Sequence, residues 1–177
     1  MQRESAPKTR WRPTKKFGIF VLLGIALLII IVIAIRAGSN RATSPDFPAV
    51  LPMGKSIGDL GGWQRFNPPN SDPVFTYSDT IGKVPISVTE QALPKSLQPD
   101  VATKVAELAK GYNANTVVEA DDVKVYIGTS NKGPQSVIFV RHNVLVMIKS
   151  QSKIPNANWE HYATSLISTE SILLPKF

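Results

Sequence analysis

The distribution of apolar positions divides the chain into two regimes. Residues 17 to 35, FGIFVLLGIALLIIIVIAI, run for nineteen positions without a charge, whereas beyond residue 58 apolar residues come in short runs punctuated by Gly, Pro, Asn and Asp. As a helix, the first regime rises about 28 Å at about 1.5 Å per residue, which matches a hydrocarbon core. The second regime reads as strands and helices. Val74 to Thr80 and Val84 to Gln91 are rich in β-branched and aromatic residues and are split by Ile81-Gly82-Lys83, which predicts a hairpin. Trp63 to Phe66 forms a further strand candidate before them. A helix follows, with Asp100 as N-cap, Gly111 as the residue after its end, and Val101, Val105, Leu108 and Tyr112 along one face. Four more strands are expected at Thr116 to Glu119, Val123 to Thr129, Gln135 to Arg141 and Val144 to Lys149. A last helix, opening near Asn156 or Asn158, puts Trp159, Tyr162, Ala163, Leu166 and Ile167 on one side.

This order, strands-helix-strands-helix, predicts an α+β fold class: an N-terminal transmembrane helix followed by a small antiparallel-sheet domain with two helices packed on it. The expected organisation is a basic cytoplasmic tail over 1–16, a transmembrane helix over 17–36, a Pro/Gly/Ser linker over 37–58 and an extracytoplasmic domain over 59–177. One detail departs from a sheet with a wet face. Val137-Ile138-Phe139-Val140 and Val144-Leu145-Val146-Met147-Ile148 are apolar at both parities, so both faces of that hairpin need cover. If two helices cover one face, the other is either overlaid by the first hairpin or docks a partner through Ile138, Val140, Leu145 and Met147.

Charge changes the picture once it is divided along the chain. The net +7 suggests a nucleic-acid ligand, but residues 1–16 alone carry +5, and residues 55–177 hold twelve basic and eleven acidic groups. The folded part is nearly neutral and gives no reason to expect nucleic acid. The tail, with Arg10, Arg12, Lys15 and Lys16 against the apolar run, is suited to anionic lipid head groups. Six Lys or Arg precede the run and two follow it closely, which keeps the N-terminus inside and turns the C-terminal part outward. The run exceeds the roughly 7 to 15 apolar residues of a cleaved signal. A pilin stem is excluded because Lys16 stands where that junction needs Gly, and no acidic residue interrupts the helix. Leu51-Pro52-Met53-Gly54 lacks the Thr of a sortase signal and lies on the wrong side of the apolar run.

Candidate chemistry is sparse. The chain has no cysteine, which removes disulfides, thiolate metal sites, a cysteine nucleophile and lipid attachment through cysteine. His142 is expected in a tight turn and His161 on the polar side of the last helix, with no carboxylate at ligand spacing to either. Gly128 and Gly133 have the spacing of a phosphate loop, but Pro134-Gln135 stand where Lys and Ser or Thr are needed, and the loop leads into a strand. Glu119, Asp121 and Asp122 lack the pattern of a calcium loop and read as a solvated turn. Trp63 and Trp159 read as core anchors. The sequence therefore predicts no catalytic residue, no cofactor and no metal, and a protein that is not an enzyme.

The run GGWQRFNPPNSDPVFTYSDTIGKVPISVTEQ, with VYIGTSNKGPQSVIFV and NWEHYATSL, resembles a group of single-pass membrane proteins of candidate-phylum, Saccharibacteria-type bacteria, over about residues 50 to 170. That group has no assigned activity, so the resemblance implies no functional residue. It implies a bacterial cytoplasmic membrane with the domain outside. The expected function is a membrane-anchored extracytoplasmic binding module of the envelope with a protein partner, the alternative being a transmembrane sensor or signalling subunit acting through its basic tail.

The orientation is open to direct measurement. With no natural cysteine to interfere, Ser130→Cys is expected to react with a membrane-impermeant maleimide on intact cells, in a band of full length, and Ser5→Cys only after lysis. A shortened labelled band would identify a cleaved signal instead.

Overall fold

In the computed structural model, which describes residues 44–69 and 71–170, nine strands and two helices follow one another among the described residues. They are β1 (Val50–Pro52), β2 (Gln64–Phe66), β3 (Val74–Ile81), β4 (Val84–Ala92), α1 (Val101–Gly111), β5 (Thr116–Ala120), β6 (Val123–Thr129), β7 (Gln135–Arg141), β8 (Val144–Ser150), α2 (Asn156–Ser165) and β9 (Leu166–Ser168). Seven strands form one antiparallel sheet in the order β2-β3-β4-β8-β7-β6-β5, and β1 and β9 pair as a separate ribbon.

Turn chemistry sets the register of the sheet. Two-residue turns close three hairpins, Gly82-Lys83 between β3 and β4, Asp121-Asp122 between β5 and β6, and His142-Asn143 between β7 and β8. Each contains a left-handed residue, with φ of 61° at Gly82, 54° at Asp121, and 49° and 60° at His142 and Asn143. Such turns match the right-handed twist of the strands they join. α1 starts as expected, with the Asp100 carboxylate accepting from the Thr103 N–H at 3.1 Å. It ends differently: Gly111 is still helical, and the left-handed residue that breaks the helix is Asn113, φ 55°.

Both faces of the β7–β8 hairpin are covered from within the chain. Val137, Phe139, Val144, Val146 and Ile148 face the larger core, closed by Trp63, Ile154, Trp159, Tyr162 and the β1–β9 ribbon. Ile138, Leu145 and Met147 face the other way, into a smaller core with Leu97 and Val105, flanked by Val101, Leu108 and Tyr112. The helices therefore lie one to each face, not together.

Three expectations are corrected. The α+β class gives way to a mostly antiparallel β domain, because two short segments outside any strong alternating pattern become strands by pairing with each other across the domain. Ala49, Val50 and Leu51, within the stretch expected as linker, are core residues, and Leu166 and Ile167 leave the last helix to form β9. No described helix is long and apolar enough to cross a membrane, and the run at 17–36 expected as a transmembrane helix lies outside the described residues. α2 also begins at Asn156 after Pro155, with no side-chain cap.

Inside the larger core, Gln135 joins β7 to the approach to α2. Its Oε1 accepts from the Ile154 N–H at 2.7 Å and from the Trp159 indole N–H at 3.0 Å, and its Nε2 donates to the Thr129 hydroxyl at 3.1 Å. Replacing it by leucine orphans two buried donors, and unpaired buried groups cost about 1 to 3 kcal/mol each. Gln135→Leu is thus expected to lower the urea midpoint by an amount equivalent to about 2 to 6 kcal/mol, and Trp159→Phe, which removes one donor along with indole volume, to leave the Ile154 bond intact.

Candidate functional site

Strand alternation alone sends two carboxylates into the core. Along β3, Phe75, Tyr77 and Asp79 share one face, and along β4, Ile86, Val88 and Glu90 share one face. In each case that face is the one packed on the larger core. Asp79 ends up at its margin beside the exposed stem of Lys55, with which it forms an ion pair, and it also accepts from the Tyr162 hydroxyl at 3.1 Å. Glu90 is fully buried, and its register partners Phe75 and Val146 leave it no water.

The Glu90 carboxylate holds the β1–β9 ribbon on the sheet. Its Oε2 accepts from the Val50 N–H at 3.0 Å, and the Tyr77 hydroxyl donates to the Val50 carbonyl at 3.3 Å. The two side chains thus satisfy the backbone groups that Val50 turns away from β9, as a neighbouring strand would. At the other end of the ribbon, Arg141 Nε donates to the Leu166 carbonyl at 2.8 Å and Nη2 to that of Thr164 at 3.4 Å, with Asp121 at 3.5 Å from Nη2. Neither grip is complete: Glu90 Oε1 and Arg141 Nη1 are buried with no hydrogen-bond partner among the described residues.

Burial dominates the electrostatics. Removal from water pushes the Glu90 carboxyl from 4.5 up to about 8, against the Val50 N–H, which favours the anion. Desolvation also raises both tyrosines, helped at Tyr77 by Tyr162 and at Tyr162 by the charge of Asp79. Glu90 is a proton-holding latch enclosed by the core, not a group placed to meet a substrate.

A second feature opens to solvent. Where the ribbon, the end of β4 and the His142-Asn143 turn meet, a cleft of about 790 Å³ has apolar walls of Phe47, Pro48, Ala92 and Leu93. Gln98, His142, Asn143, Ser168 and Glu170 complete its lining. His142 is exposed there, while His161 lies on the exposed side of α2, so the two histidines have no common site.

The other residues singled out by sequence are dispersed. Ile138, Leu145 and Met147 are buried beneath α1, with Val140 partly so, and this face is occupied by the chain itself. Arg10, Arg12, Lys15 and Lys16 lie outside the described residues. Glu119 and Asp122 are exposed, and Asp121 pairs with Arg141. Trp63 and Trp159 are buried, Trp63 making edge contacts with Phe75 and Tyr77 at 6.1 and 5.3 Å. Among the described residues there is no cluster of His, Cys, Asp or Glu fit to hold a metal ion. Glu90 and Asp79 do not stand out by residue type or by spacing, and their signal is the parity they share with apolar neighbours. No family model, curated protein or solved structure matches the chain.

The latch gives a pH dependence of defined sign. Between pH 4.5 and about 8 the unfolded chain has released a proton that the folded chain keeps at Glu90, so stability falls as pH rises through that window. Below 4.5 both states hold the proton and nothing is lost; above about 8 the loss is complete. Glu90→Gln, which mimics the neutral form, should melt with the parent at pH 4 and about 5 °C or more above it at pH 8. Equal melting temperatures at both pH values would refute the latch.

Proposed function

We propose that the protein is a membrane-anchored extracytoplasmic interaction module of the bacterial envelope, held by residues 17–36 with its N-terminus inside and acting by binding a protein partner, without catalysis. The observation that carries this reading is the cleft between the ribbon and the β7–β8 turn. Its walls of Phe47 and Leu93 suit an apolar side chain, and Glu170 in its lining suits a basic neighbour on the same partner. The buried face of Ile138, Leu145 and Met147 has no part in it. Phe47 follows the apolar run by twelve residues, which limits the cleft to about 40 Å from the end of that run and favours a partner lodged in, or lying on, the same membrane.

A second reading is favoured by one feature. β1 is the first described element after the apolar run, and it is the strand gripped by Glu90 and Tyr77. A transmembrane sensor whose basic tail at Arg10, Arg12, Lys15 and Lys16 reports the state of the outer domain would use such a connection.

The two readings separate in one experiment on the full-length protein in intact cells. A photo-crosslinking residue at Asn143 is expected to yield a single adduct with an envelope protein, abolished by Leu93→Glu, which places a charge in the apolar wall. Absence of an adduct, together with loss of phenotype on neutralising Arg10, Arg12, Lys15 and Lys16 while membrane insertion is retained, would overturn the interaction reading in favour of the sensor.

A further inference from the structure

Two strands end the large sheet, and they are guarded unequally. β2 is three residues long, and the Arg65 guanidinium lies 5.8 Å from the ring centroid of Phe75 beside it. β5 is five residues long, pairs with β6 in unbroken register from Thr116 to Ala120, and contains no proline, lysine or bulge; Glu119 is its one charge, and α2 packs against it. Natural sheets use such devices to keep an edge from pairing with another chain. Instead β5 carries Val117, which is 47 % exposed and, with Met53, one of two large hydrophobic residues exposed among the described residues.

The hairpin geometry fixes which backbone groups the edge presents. Because Ala120 and Val123 close the two-residue turn as a hydrogen-bonded pair, Ala120, Val118 and Thr116 point their N–H and C=O groups at β6, and Val117 and Glu119 point theirs outward. Among the described residues no other hydrogen bond engages those four outward groups.

We propose that β5 pairs antiparallel with β5 of a second copy, about a two-fold axis through Val118, joining two domains in one continuous sheet. This register uses all four outward groups, since each Val117 then exchanges both its hydrogen bonds with the partner's Glu119. It sets Thr116 against the partner's Ala120 and brings no like charges together. Centring the axis on Glu119 would oppose two carboxylates, which is unfavourable. Centring it on Val117 would set Glu119 against Asn115, whose N–H is already given to the Asn113 carbonyl at 3.1 Å. The folded part is almost neutral, so two copies meet without net repulsion.

A five-residue strand buries less than the roughly 800 Å² per partner of a stable soluble complex. The pairing therefore depends on the membrane anchoring proposed above, which confines copies to a plane and raises their local concentration.

The experiment uses the full-length, naturally cysteine-free protein in its own membrane. At the axis, Val118 faces its counterpart in a non-hydrogen-bonded pair with Cα atoms about 4.5 Å apart, within the span of a disulfide. Val118→Cys is expected to run mostly as a reducible dimer after mild oxidation. Val118 is partly buried, so a second pair uses exposed positions: Val117→Cys and Glu119→Cys on copies of different tag length should form more mixed dimer than either homodimer. Monomer in both experiments, or adducts with proteins of other mass, would overturn the proposal. Outside labelling at Ser130→Cys reports the anchor independently, so a failed dimer with intact labelling is distinct from a failed anchor.

Discussion

The structure depends on a strand pair that is apolar on both faces. β7 and β8 lie at the centre of the sheet and expose large side chains in both directions, and burial of such side chains contributes about 1.5 to 3 kcal/mol each. A two-layer domain would leave half of that surface in water. The chain answers with a cover on each side: α1 and the segment before it on one face, and α2 with the β1–β9 ribbon and the Trp63 segment on the other. The buried carboxylate lies beneath one of these covers, and the cleft opens beside it.

The strand-forming part of this arrangement was legible in the sequence. Long alternating or β-branched runs bounded by Gly82, by Asp121-Asp122 and by His142-Asn143 marked six strands to within about a residue. The way the faces are covered was not. β1 and β9 are three residues each, too short for any periodicity, and they exist because Val50 meets Ser168 across the whole domain. Pro48 and Pro52 around β1 argue for a linker when read locally, although Pro52 sits at the strand's end, where a missing N–H is tolerated. Leu166 and Ile167 continue the helical spacing of Trp159 and Tyr162, and tertiary pairing overrides it.

The candidate sites divide along the same line. Expecting a docking surface at Leu145 and Met147 follows from assuming that both helices share a face, and α1 alone removes the reason for it. Glu90 was within reach of the sequence, since two apolar residues at its own parity, Ile86 and Val88, precede it in its strand. A carboxylate in that pattern is either an error in strand assignment or a buried group with a partner, and here its partner is a backbone N–H from the ribbon. The cleft, by contrast, gathers residues from five separate stretches, and no local pattern marks it.

The pairing of β1 with β9 has a consequence for how the domain comes into being. Val50 is among the first residues of the domain to be made, yet its strand partner, Ser168, is among the last. Hairpins can zip up early, because their contacts are local, but the larger core stays open on one side until β9 arrives. Ala49, Val50 and Leu51 must therefore wait uncovered through most of synthesis. The first strand of the domain is thus completed only by its last, and the half-built sheet offers those residues no cover until the two meet.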